Sequence, residues 1–186
     1  MLAYHLTYAQ TFSLMGPWVG APALGIVVLA VITAIRSRPL VKHRGWSASW
    51  PLAVGAFGIV VAGWGLFVSL GMAQTGWSLQ GGMLQLNTGS GTDQWPVGQV
   101  ERVNWVTGNP SWSLVAPVSA TSTGNYHAGH FRLKNGRVAW VFEEGTHSVL
   151  EITVASQIVL ISSGRIHALR RQLIQDMVNT QRSHRR

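Results

Sequence analysis

No cysteine occurs among the 186 residues. That removes disulfides, thiolate zinc sites and cysteine nucleophiles together, and leaves the redox compartment unmarked. Charge is scarce too. Only 11% of residues are Asp, Glu, Lys or Arg, where an average soluble domain carries about 25%. The shortage is concentrated: residues 1–35 hold no charged side chain, and neither do residues 45–92. With a mean hydropathy of +0.20, a long disordered chain is excluded, because disorder needs low hydrophobicity and high charge. A simple cytosolic globule is disfavoured as well. The length suits one domain, or a smaller one with an attachment.

The net charge of +8 is equally uneven. Residues 36–44 contribute +4 through Arg36, Arg38, Lys42 and Arg44, and residues 165–186 carry six Arg against Asp176. Between them, residues 77–164 hold four basic and five acidic groups. A nucleic-acid binder concentrates Lys and Arg along one face of its folded domain. Here the basicity sits in one loop and one tail, so no nucleic-acid partner is expected.

Two apolar runs predict two membrane spans. The first, residues 17–36, holds the eighteen uncharged residues from Trp18 to Ile35 before Arg36 stops it, about 27 Å of helix and close to the hydrocarbon thickness. The second, residues 51–73, is long enough to span with some tilt. Trp46 and Trp50 before it and Trp77 after it fit the interfacial aromatic positions. The positive charges follow the first run rather than precede it, so it is expected to be an uncleaved span and not a signal peptide. The loop of residues 37–50 is short and basic, which predicts a cytoplasmic location. Residues 1–16, a lead-in, and everything from residue 77 onward then fall on the extracytoplasmic side of a multi-pass cell-membrane protein. In the lead-in, Tyr4, Tyr8 and Phe12 recur every four residues, consistent with a short interfacial helix or an unstructured segment.

Gly55, Gly58, Ala62, Gly65 and Ser69 recur at spacings of three and four along the second run, placing small residues on one helical face. Such faces let helix backbones approach closely in lipid. The expected uses are packing of the two spans into an antiparallel hairpin and homo-oligomer formation. No ionisable side chain interrupts either span, and channels, pumps and proton relays usually need one.

Past Trp77 the pattern changes to short alternating segments between Gly, Asn and Ser turns. Residues 83–87, 99–106, 112–118, 130–134, 137–143, 148–153 and 157–162 are seven predicted strands. Asn135-Gly136 predicts a type I′ hairpin with Phe131, Leu133, Val138 and Trp140 sharing the buried layer. Another tight turn is expected at Glu144-Gly145. After Ser163, a predicted N-cap, Ile166, Leu169, Leu173 and Met177 share one helical face, with Arg165, Arg170, Arg171 and Gln175 on the other. A seven-strand antiparallel set followed by one amphipathic helix predicts a barrel or sandwich plugged by that helix. The domain spans residues 77–180, with a basic tail at 181–186.

Residues 123–163, TGNYHAGHFRLKNGRVAWVFEEGTHSVLEITVASQIVLISS, resemble the bacterial pleckstrin-homology-like domains that follow membrane spans. The matching positions are Gly129, Phe131, Leu133, Asn135 and Gly136, and residues 97–106 are similar to that family's earlier strand. The likeness covers about residues 83–180. It implies a seven-stranded half-open barrel closed by a C-terminal helix, and no agreed biochemical activity.

Chemistry is thin. His127 and His130 are three apart, a spacing that on a strand sends side chains to opposite faces, and with His147 and His167 they form no metal set. Residues 87–92, NTGSGT, lack the Lys and following helix of a phosphate loop, and Ser90 sits in no nucleophile elbow. Glu143 and Glu144 abut a turn, where neighbouring carboxylates diverge. No catalytic residue, metal or cofactor is therefore expected, and the protein is not expected to be an enzyme. Arg132, Lys134 and Arg137 form the candidate anion- or ligand-binding patch, with Lys134 and Arg137 as cross-strand neighbours and Arg132 on the same face. The expected function is a membrane-anchored interaction module whose partners are membrane lipid and an unidentified protein, peptide or envelope component. The alternatives are an anionic-lipid-surface binder and a structural subunit of a membrane complex.

Overall fold

The alternation past residue 75 builds sheets, and the computed structural model shows two. It describes residues 2–15, 75–89, 91–106, 113–145 and 148–183, with scattered positions between 25 and 73. The chain divides into one unit of Met1–Thr7 with Met72–Arg186 and a second unit of Tyr8–Gly71.

In the first unit, strands β1 (Leu2–His5), β2 (Gly76–Gln80), β3 (Met83–Asn87) and β4 (Thr92–Pro96) form a four-stranded antiparallel sheet in that order. A single 3-10 turn, Val97–Gln99, leads into β5 (Val100–Val106). Next come β6 (Leu114–Thr123), β7 (Tyr126–Leu133), β8 (Val138–Glu144), β9 (Val149–Val154) and β10 (Gln157–Ser162). These six make a second sheet in the order β5-β9-β10-β8-β7-β6. The C-terminal helix, α2 here, runs over Ile166–Ser183, and α1, in the second unit, over Tyr8–Met15.

The mainly β architecture with a C-terminal helix agrees with the sequence. The strand set differs in three ways. Strands β1, β2 and β4 were not anticipated, and Tyr4 belongs to β1 rather than to a helical repeat with Tyr8 and Phe12. The set is not all antiparallel either, because β10 lies between β9 and β8 and runs parallel to β8. Strands β8 and β9, consecutive in sequence, are therefore not neighbours in the sheet.

One face of the larger sheet packs on the smaller sheet through aromatic rings. Tyr4 stacks on Trp77 at 6.2 Å, and both Tyr4 and Tyr126 meet Phe142 edge-on. Trp77 is fully buried and its indole N–H donates to Ser163 Oγ at 2.9 Å. It is a core residue, not an interfacial anchor. The helix opens with the Ile166 N–H donating to the Ser163 carbonyl. Ile166, Leu169 and Leu173 are buried under α2 as its periodicity predicts, and Met177 is half-buried. Arg170 departs from the expected solvent side, standing half-buried with its guanidinium 5.8 Å from the Trp105 ring centre.

The opposite face of the larger sheet carries a separate apolar cluster of Phe131, Leu133, Ala139, Val141, Ile158 and Leu160. Val106 from edge strand β5 and Leu114 from edge strand β6 both pack against it, so the sheet curls until its two edges share one interior.

The second unit reads differently. At described helical positions between 25 and 70, large apolar side chains are exposed: Leu29 by 63%, Ile59 by 72%, Trp64 by 66% and Phe67 by 68%. Among the described residues, no helix is long and apolar enough to cross a membrane. Much of both predicted spans, the whole loop of residues 37–50, and Gly55, Ala62, Gly65 and Ser69 lie outside the described residues. Gly58, the one described member of the small-residue face, is helical and buried.

Candidate functional site

The β7–β8 hairpin carries the basic patch, and its turn decides where the three cations point. Leu133 N–H donates to the Arg137 carbonyl at 2.8 Å, and Gly136 N–H donates to the Leu133 carbonyl at 2.9 Å. Gly136 has φ +81°, while Asn135 is not in the left-handed region. This is a three-residue loop, a type I turn closed by a left-handed glycine, and not the two-residue type I′ turn that Asn-Gly suggests. The extra residue shifts the register by one and swaps the faces of β8. Ala139 and Val141 are therefore the buried residues, whereas Val138 is exposed by 46% and Trp140 stands half-buried on the other face.

The same shift separates the cations. Arg132 lies opposite Val138, Lys134 is within the turn, and Arg137 sits across from Leu133, on the other face from Arg132. All three are exposed. Arg137 Nη2 donates to the Ser156 carbonyl at 3.3 Å, and the Lys134 N–H donates to the Ser113 carbonyl at 2.9 Å. Arg132, Lys134 and Arg137 thus cluster at one hairpin end but do not share one plane.

His127 and His130 do point apart. The His127 ring meets Phe131 at 5.8 Å, and its Nδ1 bonds Ser122 Oγ at 2.8 Å. The His130 ring lies 3.6 Å from that of Trp140 on the opposite face. His167 packs 4.9 Å from Trp105 on α2, and His147 lies outside the described residues. Among the described residues, no group of three or more His, Asp or Glu could hold a metal ion. Residues 87–92 join β3 to β4, with the Thr88 hydroxyl and N–H both donating to the Gly91 carbonyl.

Glu143 and Glu144 also diverge. Glu144 faces the smaller sheet, where its carboxylate accepts from the Tyr4 hydroxyl. Glu143 is half-buried on the other face, directly opposite His127. Burial pushes its carboxyl above the usual range, and the His127 imidazole pulls partly the other way. Tyr126 is fully buried, and desolvation raises its phenol from 10.0 to about 12; the hydrogen bond with Thr75 Oγ1 at 2.8 Å opposes this and the Glu144 carboxylate adds to it.

Sequence reasoning missed Thr75, Trp77 and Tyr126 as a buried group. A signal for Trp77 was present: in residues 77–86, WSLQGGMLQL, apolar positions alternate on either side of Gly81-Gly82, a hairpin pattern. Comparison with family models, curated proteins and solved structures found no match. The geometry stands by itself.

Proposed function

We propose that this chain is a membrane-anchored interaction protein. Residues 17–36 and 51–73 form a two-span anchor, and the β unit is a pleckstrin-homology-like module displayed at the extracytoplasmic surface. That module binds a protein, a peptide or an envelope component and does not catalyse a reaction.

The observation that carries this reading is the pairing of β1 with β2. Leu2 stands opposite Leu79 and His5 opposite Gly76, and the Leu6 N–H donates to the Thr75 carbonyl at 2.9 Å. The chain before the first apolar run and the chain after the second belong to one sheet, hence to one side of any bilayer. Whatever lies between must cross an even number of times, and two charge-free runs supply two crossings. The exposed Leu29, Ile59, Trp64 and Phe67 suit a lipid solvent, since helices apolar on their outer surface are membrane or deep-core elements. The basic loop between the runs supports a cytoplasmic turn. Alkaline carbonate extraction of membranes tests the anchor: the protein should remain in the pellet, and release into the supernatant refutes it.

A second reading draws on the hairpin end, where Arg132 lies opposite the exposed Val138. Cations beside aliphatic side chains suit an anionic lipid surface, at about 1 kcal/mol for each Lys or Arg. Amides of residues 133–138 should then exchange more slowly in anionic than in zwitterionic proteoliposomes, with the difference lost at high salt. Equal exchange in both lipids removes this reading.

A further inference from the structure

We propose that the face of the larger sheet turned away from β1–β4 holds a binding site for a small primary amine on a compact apolar stem. A cavity of about 170 Å³ lies there, where the end of β5 and the start of β6 come together. Its apolar walls are Val106, Leu114, Val141, Val149 and Leu160, and its polar lining is Glu143, the neighbouring Ser162, and Ser113.

Size and chemistry both narrow the ligand. An aliphatic cavity of about 150 Å³ stays dry and takes up benzene, so this one suits a stem of about six or seven carbons. Ligand sites combine such apolar walls with a few fixed polar groups. Here the polar group is anionic and partly removed from water, and burial already disfavours its charged form. An ammonium delivered on an apolar stem reverses that penalty, since a charge-assisted hydrogen bond is roughly twice as strong as a neutral one. Four other charged or titratable groups share the face. Arg102, opposite Thr153, and Arg137, opposite Leu133, are exposed and do not line the cavity. Glu151 lies beside Leu160 across β9 and β10 and adds negative charge, which favours a cation further. His127 faces Glu143 from β7, but its Nδ1 is engaged by Ser122 Oγ and it does not line the cavity. A carboxylate ligand would meet like charge. The inference does not depend on the membrane anchor.

Benzylamine and benzyl alcohol have nearly the same shape and differ in charge, so they are the probes. The full chain in detergent micelles, methyl-labelled at Val and Leu, is titrated with each. Benzylamine should shift the methyl resonances of Val106, Val149 and Leu160, with a Kd about tenfold below that of the alcohol. Glu143→Gln, close in shape, should abolish that tenfold preference while leaving the alcohol's affinity in place. Val149→Phe, at the half-buried start of β9, should weaken both probes by filling the cavity. No methyl shift with either probe, equal affinities in the parent protein, or an undiminished amine preference in Glu143→Gln overturns the proposal.

Discussion

Replacing Gly76 with alanine should unseat β1 from its sheet. A Cβ at that position falls 2.0 Å from the Tyr4 carbonyl oxygen and 2.8 Å from His5 Cα, at a backbone φ of +156°. Both obstacles are backbone atoms of the paired strand, so no side-chain rotation relieves the clash. Once β1 leaves, Tyr4 loses its ring pairs with Trp77 and Phe142, at about 1 kcal/mol each. It also loses its hydroxyl bond to the Glu144 carboxylate, about 1.5 kcal/mol for a part-exposed charged acceptor. The expected destabilisation is about 3.5 kcal/mol. Urea unfolding in detergent micelles, followed by tryptophan emission, reads it directly, because Trp77 is fully buried beneath Tyr4. Tyr4→Ala removes the same contacts, so the double variant should fall well short of the sum of the two single effects. A Gly76→Ala protein within about 0.5 kcal/mol of the parent, no more than an ordinary surface substitution costs, would refute the pairing. So would full additivity with Tyr4→Ala.

Ala155 and Ser156 connect β9 to β10 with φ of +46° and +65°, a type I′ turn built without its preferred residues. Ala155→Asn with Ser156→Gly should therefore raise stability by about 1–2 kcal/mol, seen as a higher urea midpoint at unchanged slope. Ser163→Ala leaves the buried Trp77 indole N–H without its acceptor and should cost about 1–3 kcal/mol; Ser163→Thr should restore most of it. Tyr126 predicts an alkaline weakness. Its phenol ionises near 10.0 when unfolded and near 12 when folded, so above pH 10 the unfolded chain binds fewer protons and stability falls as pH rises through that window. Each tenfold difference in proton affinity between the two states is worth about 1.4 kcal/mol. By pH 12 the loss therefore approaches roughly 2–3 kcal/mol. Unfolding curves from pH 9 to 12 should show this decline in the parent and not in Tyr126→Phe.

Strands with a buried face were legible in the sequence: β3, which alternates, and β10, a continuous apolar run, fall on the expected residues, and β5, β7, β8 and β9 agree at their cores. The apolar stripe of α2 was legible for the same reason. Strand β4 was not, because Trp95 is its only large apolar residue and no periodicity exists to read. Strand β1 has four residues, and its partner lies more than seventy positions away. Nothing local marks such a pairing. The basic hairpin failed more subtly. Asn135-Gly136 correctly signalled a turn, but one residue in loop length decides which face every β8 side chain takes, and composition does not report that length. Parallel placement of β10 beside β8 was likewise hidden: its continuous apolar run marks a strand buried on both faces, but not which strands flank it. The cavity with Glu143 exists only because the edges β5 and β6 approach each other, a non-local fact.

The most direct test of the anchor is topology by cysteine labelling, which the cysteine-free chain makes clean. Single variants His5→Cys, Lys42→Cys and Ser183→Cys are treated in intact cells with a membrane-impermeant maleimide. Positions 5 and 183 should label together, and position 42 should label only once the cells are opened. Labelling of 5 and 183 on opposite sides, or of 42 in intact cells, would contradict that topology.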